Sequence, residues 1–320
     1  MTADSPVTLA DVLRARQRLN DYLTPTPLEP APALGKAVYL KLENANLTHS
    51  FKIRGALNAL LSLDDEARMR GVVTASSGNH AQGLAYAAHL TGIPATILMP
   101  AHTPRRKVDG VRRYGARVDL ESTNYDIAEA RAHQMAADNG LLYVSPYNDA
   151  RVVAGAGTVG LEIIDQLPDV AHVIVCVGGG GLISGVGLAI KGRRPQARVI
   201  GVNALSAPTM YNTFYGTQHP EVWETLAEAL SGDIEAGSIT LELARQVVDE
   251  MTLVSEEQIA AALRWLVDVQ GWLVEGGGAV GVAALLADVI PATDGPTAVV
   301  VSGGNIDGSG LRRVLCATAE

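Results

Sequence analysis

Short apolar runs alternate with amphipathic stretches of helical length along most of this chain. The first series has runs typical of β-strands at residues 72–75, 95–99, 117–120 and 141–144. Between these runs, apolar residues recur at helical spacing at 79–90, 105–114 and 126–138. Strands that alternate with helices in this way predict a parallel sheet with helices on both faces.

A second series of the same kind follows. Its predicted strands lie at 173–177, 199–203 and 297–302, and its predicted helices at 158–166, 182–190 and 256–269. The N-terminal part adds an amphipathic helix at 9–19 and a short strand at 38–42. We expect the three glycines at 276–278 to form a turn.

The two series predict an α/β fold made of two open, mainly parallel α/β domains with a cleft between them. We place the smaller domain at residues 71–148. The larger domain then combines residues 1–70 with residues 149–320. Ligands of open α/β sheets bind beyond the carboxyl ends of the strands, so we expect the functional site in the cleft.

The composition narrows the classes of partner. The chain has 320 residues, of which 48% are hydrophobic, and a net charge of −9, so a globular core is expected and nucleic acid is not an expected partner. No apolar run approaches the length of a membrane span, and the first 20 residues lack the apolar segment of a signal peptide. With only two cysteines, no disulfide framework is implied. We therefore expect a protein of the reducing cytoplasm that does not bind membranes.

Lys52 is the first candidate catalytic residue. It stands between Phe51 and Ile53 at the start of a predicted apolar helix. Apolar neighbours desolvate an amine and disfavour its charged form, which leaves a nucleophile. Such an amine condenses with carbonyl groups, and pyridoxal 5′-phosphate is anchored in this way. The alternative is a lysine that reaches solvent from the helix start.

Four consecutive glycines, Gly178, Gly179, Gly180 and Gly181, follow the predicted strand at 173–177 and precede a helix. Bare glycines let several backbone N–H groups converge on one anion at a helix N-terminus. Neither a dinucleotide fingerprint nor a P-loop fits the spacing. We therefore predict a phosphate site, and the alternative is a tight turn.

Two further turns follow predicted strands. The segment Ser76, Ser77, Gly78, Asn79 and His80 offers backbone amides and hydroxyls that suit a substrate carboxylate, and its alternative is a capped helix. Ser302 places a hydroxyl at the end of the last strand.

Taken in this order, the four stretches resemble one enzyme family. The motifs are S-F-K-x-R-G-A at 50–56, S-x-G-N-H at 76–80, G-G-G-G-L at 178–182 and S-G-G-N at 302–305. Together they resemble the serine/threonine dehydratase and serine racemase family of pyridoxal-phosphate enzymes, which is related to the tryptophan synthase β subunit (fold type II). The resemblance covers nearly the whole chain. It implies pyridoxal 5′-phosphate in the interdomain cleft, a small amino-acid substrate and a homodimer.

The resemblance also implies residue roles. Lys52 would carry the cofactor as a Schiff base and then move the substrate's α-proton. The four glycines would hold the cofactor phosphate, and the segment 76–80 would bind the substrate carboxylate. Asn79 would meet the ring hydroxyl and Ser302 the pyridine nitrogen, with Glu275 near the cofactor.

The implied activity is β-elimination from a small β-hydroxy amino acid, with L-threonine and L-serine as first candidates. A neutral serine at the ring nitrogen disfavours a long-lived carbanion, so departure of the β-hydroxyl is the easier outcome. The products would be a 2-oxo acid and ammonia. Racemisation of serine or aspartate and dehydration of a hydroxyaspartate stay open, because Ser77 matches the second acid/base residue of the racemases. A non-catalytic binding protein would not need Lys52, and a nicotinamide oxidoreductase would need a dinucleotide fingerprint.

Three positions depart from the family pattern. His49 stands where glycine is most frequent in the family. The other two positions belong to the family's divalent-cation site. Asn203 stands where that site has a glutamate, and Thr209 stands near an expected aspartate. Because divalent cations prefer charged oxygens, we expect no metal site. A substrate with a second carboxylate would require an additional cation in the pocket. The candidates are Arg54, His49 and Arg151, and the sequence leaves open which of them, if any, reaches it.

Overall fold

The structure is a computed structural model that describes residues 6–291 and 294–316. Within them lie ten strands: β1 (Leu28–Pro30), β2 (Val38–Leu42), β3 (Val72–Ala75), β4 (Ala95–Pro100), β5 (Arg117–Ser122), β6 (Leu142–Tyr143), β7 (His172–Cys176), β8 (Arg198–Ala204), β9 (Glu250–Val254) and β10 (Thr297–Val301).

The same residues contain thirteen α-helices: α1 (Leu9–Leu19), α2 (Lys52–Leu61), α3 (Asp65–Arg70), α4 (Asn79–Thr91), α5 (Arg105–Arg112), α6 (Tyr125–Asn139), α7 (Ala150–Gln166), α8 (Gly181–Arg193), α9 (Thr209–Tyr215), α10 (Ile239–Val247), α11 (Glu256–Asp268), α12 (Gly276–Leu286) and α13 (Gly308–Cys316). In this part of the chain, no helix is both long enough and apolar enough to cross a membrane.

The strands form two sheets. One has four strands in the order β5-β4-β3-β6, and the other has six in the order β1-β2-β10-β7-β8-β9. Every pairing is parallel except that of β1 with β2. The predicted α/β class with mainly parallel sheets is confirmed. The domain boundaries themselves stay a prediction.

The predicted start of one helix and one predicted turn were wrong. Helix α7 begins at Ala150, two turns before the predicted start at residue 158. The glycines at 276–278 form the first turn of α12 rather than a turn between elements. In both cases the glycines allow close packing. A Cβ atom on Gly155 would lie 2.5 Å from the carbonyl oxygen of Arg54, and a Cβ atom on Gly276 would overlap the carbonyl oxygen of Leu226. Tertiary contact overrides the low helix propensity of glycine here.

A buried ionic network fixes α2 against β2 and α7. Nε of Arg54 lies 2.7 Å from Oε2 of Glu43, and Nη1 lies 2.5 Å from Oε1 of Glu162. Lys41 on β2 completes the network with a 2.6 Å contact to Oε2 of Glu162. Two cations therefore face two anions inside the protein, and each buried charge has a partner. Because Lys52 begins α2, this network also fixes its backbone.

Candidate active site

Lys52 is the first residue of α2, and its side chain is partly exposed at the cleft. Its Nζ donates to the carbonyl oxygen of Pro146 at 2.8 Å and lies 5.1 Å from the centre of the Phe51 ring. Burial lowers the pKa of Lys52 to about 8, and Cys176 and Glu275 oppose that shift. The amine is therefore neutral in part near pH 8, as a nucleophile or base requires.

Backbone hydrogen bonds bring the end of β10 beside Lys52. The N–H of Phe51 donates to the Ser302 carbonyl oxygen at 3.1 Å, and Ser50 forms an isolated bridge with Gly303. The Ser302 side chain is buried. Burial raises the pKa of the Cys176 thiol at the end of β7, and the nearby Ser302 hydroxyl opposes that rise. The ends of two neighbouring parallel strands thus lie beside the lysine, at the edge of the sheet where ligands of α/β proteins bind.

The segment 76–80 joins β3 to α4 and lies next to the start of α2. A Cβ on Gly83 would lie 3.0 Å from the Ile53 nitrogen, so α4 packs directly on the backbone that follows Lys52. Ser76, Ser77 and Gly78 are partly exposed at the turn. No side chain caps α4, whose N-cap is Gly78. The capped-helix alternative for this segment is therefore not what the geometry shows.

The amide of Asn79 connects this segment to the six-stranded sheet. Its Nδ2 donates to Oε1 of Glu275 at 2.6 Å, and its Oδ1 accepts from Nδ2 of Asn305 at 2.8 Å. Burial raises the pKa of Glu275 to about 7. Asn305 belongs to the S-G-G-N motif, but no pattern in the sequence predicts its contact with Asn79.

His80 is buried within α4. Its Nε2 lies 3.1 Å from the carbonyl oxygen of Val144, and its Nδ1 has no partner among the described residues. Burial and the nearby Lys52 lower the pKa of His80 to about 3. The ring is therefore neutral, and it donates from Nε2.

The four glycines connect β7 to α8 and pack closely against other segments of the chain. Gly180 has a φ of +83° and forms the N-cap of α8. A Cβ on Gly179 would lie 2.6 Å from the ring of Tyr147, and one on Gly178 would lie 2.9 Å from the Cα of Leu230. Side chains are therefore excluded from the loop, and its backbone lies at the positive end of the helix dipole.

Residues 146 and 147 link the lysine to the glycine loop, and sequence reasoning missed both. Pro146 accepts the bond from Lys52, and the next residue, Tyr147, lies against Gly179 and Gly181. The Tyr147 hydroxyl accepts from the N–H of Glu235 at 3.1 Å. Neither residue type has a distinctive catalytic pattern, so no signal in the sequence could have identified them.

These features fit pyridoxal 5′-phosphate. The glycine loop, which side chains cannot fill, offers an N-terminal helix turn to a phosphate, and the amine of Lys52 is available for a carbonyl. Asn79, the first residue of α4, and Ser302, which directly follows β10, add neutral polar groups. The structure thus brings the glycine loop, the start of α4, the end of β10 and the Lys52 amine together, and the roles of the individual residues stay predictions.

A divalent cation fits less well at Asn203. This side chain is fully buried, and its Nδ2 donates to the carbonyl oxygens of Val177 at 3.0 Å and Ala207 at 3.3 Å. Two carbonyl oxygens that a cation could bind are therefore already paired with an amide donor. Thr209 donates to Glu221 at 3.2 Å instead of offering a carboxylate. Residues 6–291 and 294–316 contain no group of three or more metal-binding His, Cys, Asp or Glu side chains.

Two of the three residues considered for a second substrate carboxylate are held in ion pairs within the protein. Arg54 is buried between Glu43 and Glu162. Arg151 pairs with Asp149, with Nη2 and Oδ2 2.6 Å apart. His49 is exposed, with a φ of +54°. The two arginines are thus already paired with carboxylates of the protein.

Comparisons with known proteins agree with this geometry. A family described as pyridoxal-phosphate dependent enzyme matches residues 19–303. An L-threonine ammonia-lyase of Thermotoga maritima is 44% identical over 97% of this chain and 78% of its own. Another, of Geobacter sulfurreducens, is 46% identical over 86% of this chain and 68% of its own. The solved structure of maize serine racemase superposes with a TM-score of 0.90 at 32% identity, over 97% of each chain.

Proposed function

The chain belongs to the family of pyridoxal-phosphate dependent enzymes, and on that basis we propose that it is an ammonia-lyase for small β-hydroxy amino acids. L-Threonine is the first expected substrate and L-serine the second, each giving a 2-oxo acid and ammonia. The observation that supports this most directly is Lys52, a partly exposed lysine with a lowered pKa between the glycine loop and two polar strand ends. Relatives at 44% and 46% identity are named L-threonine ammonia-lyase.

The cofactor, when bound, withdraws electrons from the substrate's Cα. The chain's own residues would do the rest. Gly178 to Gly181 would bind the phosphate, and residues 76–80 would orient the carboxylate with backbone N–H groups. Lys52 would remove the proton from Cα, because its lowered pKa leaves a neutral amine near pH 8. Ser302 would hold the ring nitrogen with a neutral hydroxyl.

The first experiment measures 2-oxobutanoate from L-threonine with the protein loaded with pyridoxal phosphate. We expect Lys52→Ala to reduce the rate at least 10²-fold or so, the lower range for a lost acid/base group. Lys191→Ala is the matched control, because that lysine pairs with Asp249 on the protein surface and should keep wild-type activity. A loaded wild-type protein that forms no 2-oxo acid from threonine or serine would contradict the proposal.

Racemisation is the second candidate function, and Ser77 favours it. This partly exposed serine precedes α4, the helix that packs on the backbone of Lys52, and the chain resembles maize serine racemase in structure. Chiral analysis of serine after incubation with L-serine tests this directly. If Ser77 is the second acid/base residue, Ser77→Ala should abolish D-serine formation while elimination continues.

Substrates with a second carboxylate are less well supported. Arg54 and Arg151 are held by protein carboxylates, so neither is free to bind a substrate anion. We therefore expect aspartate and hydroxyaspartate to react more slowly than serine or threonine.

We propose that the enzyme is a cytoplasmic homodimer with a small domain at 71–148. The family resemblance supports the dimer, and light scattering would test it. The two cysteines are free, which agrees with a reducing compartment. All four strands of the smaller sheet come from residues 72–143, which supports the domain division.

A further inference from the structure

The orientation of the Asn79 amide is specified at both ends. Its Nδ2 donates to Glu275 at 2.6 Å, and its Oδ1 accepts from Asn305 at 2.8 Å. Nδ2 of Asn305 also donates to the Thr48 carbonyl oxygen at 2.9 Å. If the Asn79 amide turned over, its Nδ2 would face another amide donor and its Oδ1 would face a carboxylate. Both contacts would be repulsive, so only one orientation satisfies the three side chains.

Glu275 is held in place for this contact and is not used to cap its helix. It is the N-cap residue of α12, a position where a side-chain oxygen usually accepts from the helix, but its side chain makes no cap hydrogen bond. Its N–H donates to the Gly303 carbonyl oxygen at 3.1 Å. A Cβ on Gly303 would overlap Oε1 of Glu275, so only glycine there allows the carboxylate to reach Asn79.

The surroundings strengthen this hydrogen bond. The charged and titratable groups that act on Glu275 are Lys52, Cys176, Lys107 and Glu228. No cation within this set makes an ion pair with Glu275, because Lys107 pairs with Glu228 and Lys52 donates to Pro146. The carboxylate therefore depends on Asn79 as its side-chain donor, and a hydrogen bond to a poorly solvated carboxylate is strong.

One hydrogen of the Asn79 amide remains free. Nδ2 has two hydrogens, and only the bond to Glu275 uses one of them within the described residues. Asn79 is partly exposed at the start of α4, and one turn further along this helix Gly83 packs on the backbone of Lys52 and Ile53. We propose that Glu275 and Asn305 are positioning residues, which fix Asn79 so that this second hydrogen donates to an acceptor oxygen on the cofactor ring. The proposal rests on the proposed function, since it requires pyridoxal phosphate in the cleft.

The test compares three substitutions. Glu275→Leu removes the acceptor, Glu275→Gln keeps an acceptor oxygen without the charge, and Asn305→Ala releases the other end of the amide. Asp138→Asn is the matched control, because Asp138 also accepts from a side-chain amide, that of Gln134 at 2.7 Å, but is exposed near the end of α6 and does not contact Asn79. For each protein, pyridoxal phosphate is titrated into the apo form, and its Kd and visible absorbance band are recorded together with the Tm of the apo form.

We expect Glu275→Leu to raise the Kd about tenfold, the loss of one hydrogen bond, and to move the visible band. Asn305→Ala should shift both in the same direction, and Glu275→Gln should restore most of the affinity. The control should match the wild type. Variants that lower the apo Tm but keep the wild-type Kd and band would overturn the proposal, because Glu275 would then have only a structural role. A wild-type protein that binds no pyridoxal phosphate would instead overturn the proposed function.

Discussion

His49 adopts a backbone conformation that few residues other than glycine tolerate. Its φ is +54°, its N–H donates to Asn46 at 2.8 Å, and its carbonyl oxygen accepts from Gly304 at 2.9 Å. These bonds hold the loop that leads to Lys52 beside the S-G-G-N motif. The sequence showed that glycine is replaced here, but only the structure shows that the replacement keeps the left-handed conformation. The exposed imidazole supplies no contact that explains the choice of histidine.

The backbone at residue 49 predicts a specific pattern of stability. His49→Val should lower the free energy of unfolding by roughly 1–3 kcal/mol, because a β-branched residue is strained at positive φ. His49→Gly should be more stable than the valine variant. His102→Val is the control: this histidine is exposed and does not have a positive φ, so the change should stay within about 0.5 kcal/mol. Urea unfolding of the three variants, each without cofactor, measures these free energies. Equal losses for His49→Val and His102→Val would refute backbone strain at residue 49.

At the scale of elements, helix α7 shows where prediction from pattern fails. Its first two turns contain Gly155 and Gly157, which a propensity argument assigns to a loop. In the structure they allow α2 and α8 to approach: a Cβ on Gly157 would lie 2.8 Å from the carbonyl oxygen of Gly185 on α8. The strands and the regular helices were predictable because their period is local. A helix whose glycines serve contacts with distant segments is not.

Gly155→Ala therefore tests whether close packing, which disfavours alanine here, outweighs the higher helix propensity of alanine. The new methyl group would lie 2.5 Å from the Arg54 carbonyl oxygen, and we expect a loss of about 1–3 kcal/mol in the free energy of unfolding. Gly110→Ala, in α5, is the matched control, because the nearest atom to its new Cβ is a flexible side-chain oxygen at 3.4 Å. There alanine should be neutral or stabilise by up to about 1 kcal/mol. Denaturant unfolding distinguishes the two, and a stabilised Gly155→Ala variant would mean that α2 and α7 are farther apart.

At the scale of the whole molecule, the site depends on contacts between segments far apart in the chain. Lys52, the glycine loop and the segment 76–80 were predictable because each lies on a local strand–turn–helix pattern with a distinctive composition. The partners Glu275 and Asn305 of Asn79, and the Pro146 carbonyl at Lys52, depend on how the two sheets pack. The resemblance placed Glu275 near the cofactor but not its hydrogen bond. Tertiary packing decides such contacts, and a single sequence does not encode them in any short motif.

The Asn203 amide occupies two carbonyl oxygens, next to the loop after β8, that a cation could bind. It donates to the carbonyl oxygens of Val177 and Ala207, so a divalent cation would have to displace a donor that already satisfies both. We expect a chelator to leave the Tm and the ammonia-lyase rate of the wild-type protein unchanged. A fall in either quantity, restored by Ca²⁺ or Mg²⁺, would show that the amide does not take the place of a cation.

Asn203→Asp should replace the two amide hydrogen bonds to Val177 and Ala207 with a site whose stability depends on a bound cation. The substitution places a carboxylate beside two carbonyl oxygens at a fully buried position, and an unpaired buried charge costs roughly 3–5 kcal/mol. Ca²⁺ prefers such oxygens, and a ligand present at about 100 times its Kd returns about 2.7 kcal/mol. The Tm of this variant should therefore be low in chelator and rise with Ca²⁺. Asn139→Asp, at an exposed asparagine, should not respond to Ca²⁺. An Asn203→Asp protein whose Tm equals that of the wild type in chelator would mean that the Asn203 amide contributes little to this loop.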